Sequence, residues 1–217
     1  MRESEHSVLH IDVWSDVVCP WCFIGRRRLQ KALSKIDSPV EIRHRAFQLQ
    51  PDLHQTMPTS ELLASKYRIS TSEVSAMQAN VCSIADGEGL CYDLSETESG
   101  NTLDAHRLLL WARTIEKQDE LLEAMYSTYF EKKGSLFTHE DLLSVVASCG
   151  IDQDSARTVL TSHAFQDEFE ADRAMAEQIG ITGVPFYAVN MTYGISGAQP
   201  EDVFFETLQR ALAPSNI

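Results

Sequence analysis

The sequence predicts an α/β fold in which an all-helical domain interrupts a smaller domain built around a β-sheet. Two patterns carry this prediction. Strand and helix signals alternate at both ends of the 217-residue chain, and helical periodicity fills its middle. The sheet domain is therefore expected to comprise residues 1–50 and 176–217, and the helical insertion domain residues 51–175. A chain of this length can bury a full core without relying on disulfide bonds.

The N-terminal unit begins with a predicted strand from Val8 to Trp14, in which apolar and polar side chains alternate. A short turn leads to the motif Cys19-Pro20-Trp21-Cys22, and helical spacing continues to Ile36 before Pro39 ends it. A second alternating strand runs from Val40 to Phe47. Strand, helix and strand in this order predict a parallel pair of strands joined by a right-handed crossover.

The middle of the chain carries helix start and stop signals. Ser70 and Thr138 each have an acid three residues later, which is the spacing of a capping box. Asn101 or Thr102 is expected to cap a further helix. The predicted helical runs end at four glycines: Gly87, Gly134, Gly150 and Gly180.

Strand character returns near the end of the chain. Two segments, Pro185 to Asn190 and Tyr193 to Ser196, are predicted to form a hairpin. A last helix is predicted to begin at Pro200, because proline is favoured in the first turn of helices. The full predicted order is β-α-β, a helical insert, and β-β-α.

The charge balance excludes several classes of function. The chain has 32 acidic and 18 basic residues, and its formal net charge of −14 has the wrong sign for binding nucleic acid or an anionic lipid surface. The sequence contains no apolar run long enough to span a membrane. Residues 1–7 include two acids and no apolar run, so no signal peptide is expected there. These features predict a cytoplasmic protein, with no prediction for its oligomeric state.

The spacing of Cys19 and Cys22 at a junction from strand to helix is the main functional signal. The first turn of a helix has unpaired N–H groups and a partial positive charge, which together stabilise a thiolate. Cys19, at the exposed end, is expected to attack a disulfide, and Cys22, one turn further in, to resolve the resulting mixed disulfide. Pro20 suits the helix start, and Trp21 is expected to present an apolar face beside the sulfur.

Two plainer interpretations of this cysteine pair stay open. In the first interpretation the two cysteines supply half of the ligands of a zinc site. The sequence contains no second Cys-x-x-Cys or Cys-x-x-His to complete such a ligand set. The two residues would otherwise be buried structural cysteines. Because the β-α-β context is typical of a redox dithiol, we expect neither a metal ion nor an organic cofactor.

With these motifs the chain resembles the DsbA family of thiol oxidoreductases, and it is most similar to the FrnE-like branch, which carries the same dithiol. The resemblance covers about residues 8–212. It rests on the dithiol unit, on the helical insert and on four further stretches: Phe47-x-Leu49, Asn101 to Leu108, Gly183-Val184-Pro185 and Ser196 to Pro200. It implies a thioredoxin fold split by a helical domain. It also implies thiol–disulfide exchange with protein or small-molecule partners, with glutathione as a redox partner or co-substrate.

The resemblance further implies that Pro185 is cis and faces the dithiol. A cis X-Pro bond is tolerated in a tight turn, and at the start of a strand the missing N–H removes no ladder bond. Backbone groups of Val184 would then be free near Cys19, where an extended substrate could pair with them as an added strand. The alternative is an ordinary trans proline at a strand edge.

A related group with the same split fold gives a second hypothesis. Glutathione-dependent isomerases similar to 2-hydroxychromene-2-carboxylate isomerase, and kappa-class glutathione transferases, generally carry Ser at the position of Cys19 and lack the second cysteine. A serine cannot exchange disulfides, so the presence of both Cys19 and Cys22 favours redox chemistry. The same pattern implies that Asn101 and His106 shape a substrate cleft. The alternatives are that Asn101 is an N-cap and that His106 is a partly buried helix residue.

A third hypothesis, from another class, is a redox-regulated binding module that uses the acidic insert as its interaction surface. The other cysteines are compatible with several roles. Cys82 and Cys91 either form a second redox pair or act independently, and Cys149 is expected to pack in the core.

Three charged or titratable features near the dithiol also have more than one interpretation. The run Arg26-Arg27-Arg28 either adds positive potential for an acidic ligand or is a solvated helix face. Asp16, three residues before Cys19, either acts on the proton of the thiol or binds turn amides. His44, on the second strand, is left without a role.

Overall fold

The computed structural model describes residues 8–213 of the chain. This part contains six strands and nine helices, which confirms the predicted mixed α/β architecture. In chain order they are β1 (Leu9–Ser15), α1 (Pro20–Leu33), β2 (Val40–Ala46), β3 (Met57–Pro58), α2 (Thr59–Tyr67), α3 (Thr71–Gly87), β4 (Glu98–Ser99), α4 (Leu103–Thr114), α5 (Gln118–Phe130), α6 (His139–Ser148), α7 (Gln153–Leu160), α8 (Gln166–Gln178), β5 (Phe186–Val189), β6 (Tyr193–Ser196) and α9 (Glu201–Leu212).

The main sheet has the strand order β2-β1-β5-β6. β1 pairs in parallel with β2, in register from Leu9 opposite Val40, and antiparallel with β5, where Ile11 lies opposite Val189. β5 and β6 form the predicted hairpin. The N-terminal and C-terminal segments of the chain therefore meet at β1, in the middle of the sheet, although the whole insert separates them in sequence.

Helices cover both faces of this sheet, since β1 presents an apolar row to one face and the buried Trp14 to the other. Leu9, Ile11 and Val13 pack with side chains of α1 and α9. On the opposite face Trp14 packs against Ala176 of α8, and its indole N–H donates to a backbone carbonyl of the same helix at 3.1 Å. The helix that carries the dithiol is therefore fixed directly against the central strand.

The other side of α1 packs against the helical insert. Phe23 stacks on Tyr126 of α5, with ring centroids 4.9 Å apart, and belongs to a large apolar cluster that extends through α4, α5 and α6. Both predicted capping boxes are confirmed, at Ser70 for α3 and at Thr138 for α6. The first helix thus lies between the sheet and the insert, in contact with both.

Three details differ from the sequence prediction. The insert contains α2 and a two-stranded ladder in which Met57 pairs with Ser99, and neither was predicted. Strands of two residues are too short to show alternation, and α2 has a weak apolar face. The predicted boundary between residues 175 and 176 falls inside α8. The division into a sheet domain and a helical domain with those limits stays a prediction.

Residues 1–7, on which the expectation about a signal peptide rests, lie outside the described residues. Within residues 8–213, none of the helices combines the length and the apolar character needed to cross a bilayer.

Candidate active site

The two cysteines of the dithiol lie in the first turn of α1. Cys19 is the N-cap residue, with extended backbone angles of φ −92° and ψ 111°, and Pro20 follows as the first helical residue. The amide of Cys22 donates to the carbonyl of Cys19 at 3.0 Å. All five cysteines, which lie within residues 8–213, are free thiols. The chain folds here as predicted because the missing N–H of Pro20 costs nothing at a helix start.

Val184 and Pro185 lie next to Cys19 in space. The Val184–Pro185 peptide bond is cis, and the Cys19 thiol donates to the Val184 carbonyl with Sγ and O 3.6 Å apart. The pairing of β1 with β5 brings these residues together across 165 positions of sequence. Three of the predicted site residues, Cys19, Val184 and Pro185, therefore meet at one place.

Gly25, which the sequence analysis did not single out, permits this close approach. A Cβ atom at this position would lie 2.3 Å from the hydroxyl oxygen of Tyr187 and 3.3 Å from Cγ of Pro185. A side chain at this position would push α1 away from the cis-proline segment. The signal in the sequence was a glycine three residues after Cys22, inside a predicted helix where glycine is otherwise unfavourable.

The two sulfurs have different surroundings. Cys22 is 2% exposed, and its burial, together with the neighbouring Cys19 thiol, raises its pKa well above the usual range for cysteine. Cys22 is therefore a protonated thiol at neutral pH. Cys19 is 4% exposed, but it lines an open cleft and stands at the positive end of the helix.

The cleft above Cys19 has a volume of about 360 Å³. It lies between the start of α1 and the pair α2 and α3 of the insert, and Trp21, Pro20, Leu49 and Val184 contribute to its wall. Its side chains are mostly apolar, and those supplied by the insert include Leu62, Leu63, Tyr67, Met77, Val81 and Leu94. The cleft was not predicted, because α2 was not.

Asp16 and His106 form a buried pair behind the dithiol. Oδ1 of Asp16 lies 3.3 Å from Nε2 of His106, while its other oxygen accepts the Leu49 amide at 2.7 Å. His106 is 3% exposed and lies outside the set of residues that line the described cleft. The structure therefore places it as a support for the loop before the dithiol, away from the substrate-binding position predicted for it.

Asn101 is used to hold the start of α4. Its Oδ1 accepts the Leu103 amide and the side-chain amide of Gln48, both at 2.9 Å, and its Nδ2 donates to the Pro51 carbonyl at 3.2 Å. Thr102 occupies the N-cap position. These bonds correspond to the capping role, which was one of the two interpretations of this residue.

The basic run after the dithiol is neither a free anion site nor a plain solvated face. Arg26 is buried and forms ion pairs with Asp119 and Glu123 of α5. Arg27 also pairs with Glu123, and Arg28 pairs with a glutamate that follows α3. The three arginines tie α1 to the insert, an arrangement that sequence could not show because their partners lie 60 to 97 positions away.

Two further features concern the predicted cysteines and metal chemistry. Cys82 and Cys149 are half-buried beside the large apolar cluster, and Cys91 is exposed. In the structure Cys82 and Cys91 are both free thiols, and the two interpretations, a second redox pair or independent residues, stay predictions. Among residues 8–213, no group of three or more His, Cys, Asp or Glu side chains is placed to hold a metal ion.

The fold and the helix-start dithiol define a DsbA-like thioredoxin-fold protein. The chain belongs to the DSBA-like thioredoxin domain family, whose sequence pattern matches residues 10–209. A probable DsbA oxidoreductase from Streptomyces coelicolor is 36% identical, with a TM-score of 0.92 over 96% of this chain and 92% of that one. The predicted family resemblance and the predicted thioredoxin fold are confirmed by these matches.

Two structures with lower identity share the fold. A 2-hydroxychromene-2-carboxylate isomerase is 14% identical with a TM-score of 0.69, over 93% of this chain and 95% of that one. The cytosolic disulfide reductase DsbM from Pseudomonas aeruginosa is 15% identical with a TM-score of 0.66, over 93% of this chain and 98% of that one. DsbM has also been solved with glutathione. At this identity the likeness concerns the fold, and placement in the FrnE-like branch stays a prediction.

Proposed function

We propose that the protein is a thiol–disulfide oxidoreductase in which Cys19 attacks and Cys22 resolves. The observation that carries the proposal is the position of the two sulfurs in one helical turn. Cys19 lines the open cleft, whereas Cys22 is 2% exposed and is absent from the lining of the cleft. A substrate disulfide that enters the cleft meets Cys19 first, which assigns the order of the two steps.

The proposed reaction balances as two exchanges. The Cys19 thiolate attacks a disulfide R–S–S–R′, forms Cys19–S–S–R and releases R′–S⁻, which takes up a proton from solvent. Cys22 then gives up its proton and attacks the Cys19 sulfur. This step forms the Cys19–Cys22 disulfide and releases R–S⁻. The substrate is reduced by two electrons, and the reverse sequence oxidises a dithiol substrate.

We propose that Val184 and the cleft bind the substrate. The Val184 carbonyl accepts the Cys19 thiol in the free protein and becomes available to a peptide N–H once that sulfur is in a mixed disulfide. The apolar wall supplied by α2 and α3 fits apolar side chains beside a cysteine of the substrate. Protein or peptide disulfides are thus the proposed substrates, with glutathione as the proposed redox partner. A cytoplasmic location stays a prediction.

The proposal is tested by titrating the protein in glutathione buffers, trapping free thiols with a maleimide and locating them by mass spectrometry. The expected result is a disulfide between Cys19 and Cys22 over a defined range of potential, and turnover of insulin disulfides that Cys19→Ser abolishes. Cys149→Ser is the matched control, with unchanged turnover expected. A pair that stays reduced in strong oxidant would contradict the proposal.

The same variants address the isomerase hypothesis, which the shared fold keeps relevant. If Cys22→Ser retained full glutathione-dependent isomerisation of an aromatic substrate, and the wild-type protein formed no internal disulfide, the dithiol would not be the working group. We expect the opposite result, because a serine at position 22 leaves the mixed disulfide on Cys19 unresolved.

A further inference from the structure

A second cavity, separate from the cleft, reaches Cys22 from the other side of α1. It has a volume of about 280 Å³ and lies between α1, β2 and α5. Its wall is mixed: Cys22 shares it with apolar side chains such as Leu29 and Ile42 and with the polar groups of Ser15, His44, Tyr126 and Tyr187. In the part of the chain that the structure describes, its lining residues and those of the cleft have no member in common.

His44 is held in this wall by Asp119. Its Nε2 lies 3.1 Å from Oδ1 of Asp119 and 3.4 Å from a guanidinium nitrogen of Arg26. Hydrogen bonds from His44 and Arg26 lower the pKa of Asp119, so this carboxylate is ionised and can only accept. The shorter contact therefore assigns the ring proton to Nε2 and leaves a lone pair on Nδ1.

Two buried polar atoms in the cavity wall are unused by the protein. Among residues 8–213, neither Nδ1 of His44 nor the hydroxyl of Tyr187 has a hydrogen-bond partner. Asp119, with a side chain that is 65% exposed, marks an outer end open to solvent. A cavity with polar groups and room for several waters is expected to hold them, since one water in the liquid takes up about 30 Å³.

We propose that His44 accepts the proton of Cys22, through water in this cavity, when Cys22 attacks the mixed disulfide. The inference rests on the proposed function. In the step, Cys22–SH and Cys19–S–S–R give the Cys19–Cys22 disulfide and R–S⁻. The proton passes through water to Nδ1 of His44, and from the imidazolium to solvent past Asp119. His44 acts on Cys22 through water and does not touch the reacting sulfurs, so we class it as a positioning residue.

The charged and titratable groups around His44 support this role. Burial, and to a smaller extent the Arg26 cation, lower the pKa of His44 against the opposite influence of Asp119, so the ring is neutral and able to accept a proton at pH 7. The side-chain amide of Gln118, in α5, donates to the backbone carbonyl of His44 at 3.1 Å and forms no hydrogen bond with the imidazole ring. A gap of about 10 Å³ shared with His106 of α4 and with Arg45 is too small for a chain of waters.

Asp16 is the competing acceptor, since it also lies near Cys22. One oxygen of its carboxylate accepts the Leu49 amide, and the other lies 3.3 Å from Nε2 of His106 without a hydrogen bond. Within the described residues, Asp16 is absent from the lining of this cavity. A comparison of His44 and Asp16 variants therefore separates the two assignments.

The test uses 5,5′-dithiobis(2-nitrobenzoic acid) and reduced protein in which Cys82, Cys91 and Cys149 are replaced by serine. Attack by Cys19 releases one coloured thiolate, and resolution by Cys22 releases the second, so stopped-flow absorbance separates the steps. In His44→Gln we expect an unchanged first phase and a second phase slowed about 10²-fold. In the wild-type protein the rate of the second phase should reach a plateau above the pKa of His44. In His44→Gln we expect no such plateau, and the rate of the second phase should keep rising with pH. His10→Gln, an exposed residue of β1, is the control.

The possible outcomes separate the inference from the proposed function. An unchanged second phase in His44→Gln overturns the inference, as does a slower phase with the wild-type pH profile, or a slowing seen in Asp16→Asn alone. If His44→Gln fails to fold by circular dichroism, Asp119→Asn is measured instead. It frees the ring to change tautomer and is expected to slow the second phase with the first unchanged. Loss of the first phase in the wild-type background would instead contradict the proposed function.

Discussion

The surroundings of Cys19 and Cys22 differ more than one helical turn would suggest. The cleft on the Cys19 side is apolar and is walled by α2 and α3, whose side chains there are mostly half-buried or exposed. The cavity on the Cys22 side combines apolar side chains with ionisable ones and is framed by ion pairs that join α1 to α5. In the proposed function the cleft receives the substrate, and in the proposed proton route the cavity takes up the proton. What packs on either side of α1 thus gives the two sulfurs different surroundings, although they lie one helical turn apart.

The largest expected effect comes from removing either sulfur. We expect Cys19→Ser to abolish mixed-disulfide formation, whereas Cys22→Ser should accumulate the mixed disulfide because the step that follows it is lost. Intact-mass analysis after incubation with oxidised glutathione distinguishes the two, by an added glutathione on the second variant. Equal trapping by both variants would break the proposed division of roles.

Adding a methyl group at Gly25 tests how closely α1 must approach the segment of Pro185 and Tyr187. Gly25→Ala puts a Cβ against the Tyr187 hydroxyl, and overpacking of this kind typically costs about 1–3 kcal/mol. For a chain of this length we expect a fall in melting temperature of about 2–12 °C. Gly87→Ala is the matched control, since a Cβ there meets nothing within 4 Å. An equal melting temperature for both variants would contradict the close approach.

The apolar character of the cleft is tested with Leu63→Ser. Full burial of a leucine stabilises by about 1.5–3 kcal/mol, and half of that effect raises KM for a peptide disulfide with apolar neighbours by about fivefold. A small aromatic disulfide reagent should react at the wild-type rate, since it needs only Cys19. Ile115→Ser, an exposed position that follows α4, is the control. A change in kcat without a change in KM would count against a binding role.

The smallest expected effect concerns acid stability on the Cys22 side. Hydrogen bonds from His44 and Arg26 lower the pKa of Asp119, so its stabilising contribution is complete above the unfolded pKa of about 4 and is lost as pH falls below it. We expect Asp119→Asn to be less stable than wild type at pH 7 and closer to wild type at about pH 2.5. Urea unfolding at both pH values measures this, and a gap that widens at low pH would contradict it.

Local signals in the sequence were enough to predict the parts of the site that depend on neighbours in the chain. The helix start at Pro20, the two capping boxes and the hairpin after Pro185 all follow from spacing and turn chemistry. The nearness of Val184 to Cys19 came from the family resemblance, because spacing alone does not set a contact across 165 residues.

Features that depend on distant partners were missed. The roles of Arg26 and His44 are set by Asp119, 93 and 75 positions away, and a run of three arginines looks the same whether it is solvated or paired. The apolar cleft was missed because α2 lacks the strong apolar stripe that reveals a helix. The two interpretations of His106, as a cleft residue or as a buried helix residue, could not be separated from the sequence, because the packing of α4 beside Asp16 decides between them.

The pairing of Ile11 in β1 with Val189 in β5 has a consequence for the newly made chain. Synthesis proceeds from the N-terminus, so Cys19 and Cys22 leave the ribosome long before Val184, Tyr187 and β5 exist. Until then both thiols lack the segment that later shields them, and the helices of the insert, which are local in sequence, are free to fold first. The candidate site is therefore completed only once β5 has been made, and until then its two thiols are open to oxidants and to the other cysteines of the same chain.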